Sequence, residues 1–150
     1  MTGYSTREAC AAAGITYRMA DYWARTELVV PSLREAKGSG SQRSYSYGDV
    51  ITLAVIKRLV DNGLSLQSVR RAVARLGTVR ADELDGTALV LAAGEVFVTE
   101  LPDLADLLRS GSGMFQVLPF AGLVDEVDAR LDEFDAARSA RYAGTHAPAL

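Results

Sequence analysis

Cysteine and histidine are nearly missing from this chain, with Cys10 and His146 the only examples in 150 residues. A lone thiol excludes an intramolecular disulfide, and one imidazole beside it leaves no thiolate and imidazole ligand set for zinc, iron or copper. Long apolar runs are absent as well. None approaches the roughly 18 residues that cross a bilayer, and residues 1–6 lack the apolar centre of a signal peptide, so a cytoplasmic, nucleoid-associated protein without membrane contact is expected. The glycine-serine run Gly38-Ser39-Gly40-Ser41 lacks the Gly-Lys-Ser/Thr ending and following helix that a phosphate-cradling loop needs, and reads instead as a flexible loop tip. No nucleophile or base motif accompanies the carboxylates near the end of the chain, so neither catalysis nor a cofactor is expected.

What is present describes a globular chain long enough for one domain or two small ones: 49% of residues are hydrophobic and 23% charged. The net charge of −3 conceals a split. Residues 1–77 carry 11 Lys+Arg against 6 Asp+Glu, whereas residues 78–150 carry 5 against 13. A basic half joined to an acidic half suits a protein that meets a polyanion with one end only. The aromatics divide at the same place, with Tyr4, Tyr17, Tyr22, Trp23, Tyr45 and Tyr47 in the basic half and all four Phe in the acidic half, whose only Tyr is Tyr142. Polar-tipped rings mixed with Arg suit a phosphate-contacting surface, and Phe suits a dry core or cavity.

Local signals fill in the order of elements. Ser5-Thr6-Arg7-Glu8 has capping-box spacing and opens a first helix that Gly14 ends. Thr16 can cap a second helix over residues 17–26, with Met19, Ala20, Trp23 and Ala24 on its apolar stripe and Arg18, Asp21, Tyr22 and Arg25 outside it. Two short helices with small residues at Ala9, Cys10 and Ala13 read as a helix-turn-helix. Residues 28–31 and 43–46 read as the two strands of a wing around the polar stretch 32–42. A helix over about 49–62, ended by Gly63, and another capped by Ser65 complete the layout. The acidic half is expected to be α+β: a hairpin of 88–92 and 95–99, a short helix over 103–109, a strand over 114–118, and a helix with Phe120, Leu123, Val124, Val127, Leu131 and Phe134 at helical spacing. The expected division is a winged helix-turn-helix over 1–77, a small α+β domain over 78–136, and a disordered tail over 137–150.

The segments GITYRMADYWARTELVVP (14–31), QRSYS (42–46) and KRLVDNGLSLQSVR (57–70) resemble the MerR family of transcription regulators over about residues 4–76. The TYR-x-x-DYWART wording and the GSGSQR wing are most similar to its actinobacterial ResR/McdR branch. The resemblance implies a homodimer on a pseudo-palindromic promoter operator in double-stranded DNA. It implies that Thr16, Tyr17 and Arg18 enter the major groove, that Tyr22, Arg43 and Tyr45 meet phosphates, and that Lys57 or Arg58 lies near the flanking backbone. In the ResR/McdR branch it implies growth or cell-division genes as targets. Most members carry Arg where this chain has Asp21 and Gly where it has Glu27. A carboxylate cannot hold a phosphate, so Asp21 is expected to pair with Arg18, Arg25 or a wing Arg, or to accept from a cytosine amino group.

Arg25 and the wing residue Lys37 join the expected DNA-binding set on charge and position within the basic segment. Trp23, on the apolar stripe, reads as a core anchor. Arg70, Arg71 and Arg75 either face DNA or pair with the acidic half. No long heptad helix follows residue 77, so a dimer contact must come from 78–134, with Phe115, Phe120, Leu123, Val127 and Leu131 as candidates. The cluster of Phe97, Phe115, Phe120 and Phe134 reads first as core, because a domain of this size needs most of its large apolar residues to fold, then as a dimer contact, and last as a pocket for an apolar effector. Other functional readings are an excisionase-like architectural protein and an adaptor that contacts RNA polymerase through its acidic half.

Overall fold

The computed structural model describes residues 3–33, 42–77 and 86–145. The wing tip, with Lys37 and the Gly-Ser run, lies outside the described residues, as do residues 78–85, at the start of the expected second domain, and His146. Among the described residues, six helices and three strands follow in the order α1 (Thr6–Ala13), α2 (Tyr17–Arg25), α3 (Tyr47–Asp61), α4 (Leu66–Leu76), β1 (Thr87–Ala92), β2 (Glu95–Glu100), α5 (Leu101–Ser110), β3 (Gln116–Pro119) and α6 (Phe120–Thr145). The amino-terminal helix-turn-helix and the small carboxy-terminal sheet make this an α+β protein.

Caps define the first four helices. The Ser5 hydroxyl accepts from the Glu8 N–H at 3.2 Å while Glu8 accepts from the Ser5 N–H at 3.1 Å. Gly14 then takes φ +75, a left-handed conformation that L side chains resist, and its N–H closes on the Cys10 carbonyl at 2.9 Å. Thr16 caps α2 by accepting from Met19, and Ser65 caps α4 by accepting from Ser68. Helix α3 begins at Tyr47, earlier than expected, because Ser46 and Asp49 form a second reciprocal capping box.

The expected first wing strand is not a strand. The Leu28 and Val29 N–H groups both bond the Trp23 carbonyl, at 2.8 and 3.2 Å, so the chain folds round the end of α2 and buries both side chains. The returning segment pairs elsewhere: Tyr4 and Tyr45 exchange two backbone bonds of 2.8 Å, and Leu33 donates to the Ser44 carbonyl at 3.2 Å.

In the sheet, β1 lies between β2 and β3 and runs antiparallel to both, so β2 and β3 are parallel and α5 joins them. Leu89 and Leu91 of β1, with Val96, Val98 and Leu118, line the face turned to the main core. That core does not stop at the boundary between the halves. Helix α6 lies against α1, α3 and β1, and α4 lies against β2. Phe120, Leu123, Val127 and Leu131 are enclosed in the same cluster as Ala9, Ala12, Ile56 and Leu59. Residues 137–145, expected to belong to a disordered tail, continue α6 as helix. Their alanines favour helix, and Arg138 on this stretch bonds the Gly3 carbonyl and the Glu8 carboxylate.

Candidate nucleic-acid interface

Helix α2 is held by one side and open on the other. Ala20 and Trp23 are 1% and 4% exposed and anchor it to the core, as expected of Trp23. Thr16, Tyr17, Arg18, Tyr22 and Arg25 are all exposed on the opposite side, with Tyr17 at 65%. Arg70 of α4 donates to the Thr26 carbonyl at 3.2 Å and ties down the end of the helix. A short helix with a rigid apolar back and a cationic, hydroxyl-bearing front can be pressed into a groove without rearranging its own support.

Beside α2 lies a cleft of about 480 Å³ lined by Ser5, Thr6, Arg7, Tyr17, Asp21, Gln42 and Arg43. The Asp21 carboxylate joins two arginines here. It accepts from Arg43 Nη1 at 2.9 Å and lies 3.0 Å from Arg25 Nε, one helical turn away. These are two of the partners expected from sequence. The Arg43 hydrogen bond, working against a partial desolvation that would raise it and helped by the Arg25 charge, holds the Asp21 carboxyl below its ordinary value. Arg7 and Arg18 carry no ion pair among the described residues. Arg7, in the first turn of α1, was not among the expected site residues; its place in a basic segment two residues after the Ser5 cap was the available signal.

Several expected residues fall elsewhere. Tyr45 is fully buried, because its backbone bridge to Tyr4 turns the ring inward, and it cannot meet a phosphate. Lys57 pairs with Asp61 at 2.7 Å along α3, and Arg58 reaches Glu126 of α6 at 2.8 Å. Arg71 pairs with Glu95 at 3.0 Å, and Arg75 donates to the Val96 carbonyl with its guanidinium 5.6 Å from the Phe97 ring centre. Both therefore face the acidic half. Of the five residues expected at a dimer contact, Phe120, Leu123, Val127 and Leu131 are at most 3% exposed within a single chain, and only Phe115 is half-buried. A side chain already enclosed by α1 and α3 has no surface left for a second copy. Among the described residues no cluster of three His, Cys, Asp or Glu side chains could hold a metal, and no helix is long and apolar enough to cross a membrane.

Residues 4–76, which include this whole surface, match the family described as MerR HTH family regulatory protein. The chain carries a MerR-family helix-turn-helix domain. Over 140 residues, 93% of the chain, it is 41% identical to proteins named uncharacterized HTH-type transcriptional regulators: Rv1830 of Mycobacterium tuberculosis and Mb1861 of Mycobacterium bovis. The chain spans 62% of the length of these relatives. The similarity runs past the MerR-family domain into the sheet and α6, in keeping with a core that both halves share.

Proposed function

We propose that the protein is a sequence-specific DNA-binding transcription regulator that meets a pseudo-palindromic promoter operator as a homodimer. The observation that carries this reading is the exposed front of α2. Thr16, Tyr17, Arg18, Tyr22 and Arg25 stand clear of the core, with Arg7 and Arg43 at its flank. Arginines on the flank supply phosphate contacts that orient the helix, and the first turn of α2 supplies base discrimination. Lys57 and Arg58, paired internally, contribute by exchanging their carboxylate partners for phosphate. Lys37 joins this set on its charge and its position in the sequence alone.

With four expected dimer residues spent on the chain's own core, the surface that supports a second copy is the apolar rim of the sheet and α5, where Phe97, Leu101, Leu108 and Val117 are 38–63% exposed. None of α5 is buried within one chain. The shared core of the two halves favours a regulator over an excisionase-like bender, because the second half is built into the DNA-facing half. The outward carboxylates of α6 support a further contact with RNA polymerase, and the ResR/McdR resemblance supports growth or cell-division genes as targets.

The test is selection of bound fragments from genomic DNA, followed by titration of the preferred fragment at several salt concentrations. Log K should fall linearly with log salt, by about 0.9 per phosphate neutralised. Arg18→Ala should weaken the preferred site by about 1–3 kcal/mol and relax preference at one base pair in each half-site. Salt-independent binding, or binding untouched by Arg18→Ala combined with Arg43→Ala, would refute the reading.

A further inference from the structure

The cleft beside α2 is shaped and charged for an anion, and the chain itself supplies one. Arg7, Tyr17 and Arg43 line it, and Arg25 is within reach of the same carboxylate. Among the described residues of this lining, only Asp21 brings negative charge. Its two oxygens take one arginine each, Oδ1 on Arg43 and Oδ2 on Arg25. The two arginines differ in how free they are. The Arg25 side chain is 67% exposed, but that of Arg43 is only 15% exposed and is held in the cleft wall. A DNA phosphate approaching this corner therefore finds the guanidinium groups already neutralised by a carboxylate fixed on a rigid helix.

We infer that Asp21 is a built-in competitor of the DNA backbone, holding Arg25 and Arg43 in an internal ion pair that a phosphate must displace, and that it thereby suppresses binding to non-operator DNA. The inference rests on the DNA-binding reading above. Its chemical basis is simple. Backbone contacts supply essentially all non-specific affinity, so neutralising two of the cations that make them lowers that affinity first. At an operator the base contacts made by the first turn of α2 are added, and they supply the free energy to open the pair. The cost of opening the pair falls on every sequence, so Asp21 weakens random-sequence binding that rests on phosphates alone, while an operator complex keeps its base contacts to offset that cost.

The experiment compares wild type, Asp21→Asn, Asp21→Glu and Glu133→Gln on random-sequence and operator duplexes across a range of salt. Glu133 is an exposed carboxylate on α6, so Glu133→Gln reports the effect of one lost negative charge alone. Asp21→Asn should bind random DNA about tenfold tighter than wild type and steepen the salt slope by about 0.9–1.8, as one or two further phosphates are engaged. Operator affinity should rise by a similar factor, because the same pair is opened there. Asp21→Glu, which keeps the charge within reach of both arginines, should restore wild-type behaviour. If Asp21→Asn and Glu133→Gln match in slope and affinity, the inference is overturned while the DNA-binding reading stands. If wild type shows no salt-dependent binding to any duplex, the reading itself falls and the inference with it. Thermal melts of each variant establish that the compared proteins are folded.

Discussion

Replacing Leu131 by alanine separates two roles that a stripe of apolar residues on α6 could play. Leu131 is 2% exposed, and its neighbour Arg130 donates to the Ala12 carbonyl of α1 at 3.0 Å, so this part of α6 is seated on the helix-turn-helix. Truncating a buried leucine removes its transfer free energy and leaves a cavity that the packed neighbours close only in part. The loss is about 2–5 kcal/mol, which for a chain of this size lowers Tm by about 4–20 °C. Circular dichroism should give the same depression at widely different protein concentrations, because the lost contacts are internal to one chain. Trp23, on α2 and far from Leu131 in sequence, should lose its buried fluorescence at the same temperature, since both belong to one cluster. A depression that vanishes at high concentration, or a Trp23 signal that keeps the wild-type midpoint, would refute the shared-core argument and return Leu131 to a dimer contact.

Two further predictions concern the amino-terminal half. Burial alone would raise the Glu8 carboxyl, but the Ser5 N–H and the Arg138 guanidinium outweigh it and hold the group below its ordinary value. A carboxylate depressed in the folded state stabilises above its unfolded pKa, near 4.3, and loses that contribution as pH falls through the folded value. Urea unfolding should therefore show Arg138→Ala less stable than wild type at neutral pH, with the gap closing in acid; a gap that stays constant with pH would contradict it. Glu27, directly after α2, has φ +60, a left-handed conformation that strains any L side chain. Glu27→Gly should relieve that strain by up to about 1 kcal/mol after the added freedom of the unfolded chain is deducted, and raise Tm in a thermal melt. A lowered Tm would show that Glu27 makes a compensating contact.

Capping chemistry made the helix-turn-helix legible. Ser5 with Glu8, Thr16, and Ser65 each bond the backbone that their spacing implies. The hairpin about Ala93-Gly94 was equally readable, because both residues take positive φ in a two-residue turn. Where reading failed, the deciding partner was distant or already committed. Leu28 and Val29 are strand formers by type, yet their N–H groups were taken by the Trp23 carbonyl. The tyrosine hydroxyl suggested a surface role for Tyr45, but the pairing with Tyr4, 41 positions earlier, decides which way the ring turns. The periodicity of α6 gave its apolar face correctly and could not say what that face meets. A pattern repeating every three or four residues reports that something is covered, and the identity of the cover is a long-range fact. Asp21 stood between these cases: its charge and its neighbour Arg25 were visible along the helix, whereas the second bond depends on how the wing returns.

The seating of α6 on α1 has a consequence for how the chain is born. Ribosomes release residues from the amino terminus onward, and the helix-turn-helix leaves the exit tunnel well before Phe120 has been joined. Until Phe120, Leu123, Val127 and Leu131 arrive, the seam between α1 and α3 has no lid. The nascent helix-turn-helix is thus kept provisional, and its packing is completed only when translation has delivered the helix that closes it.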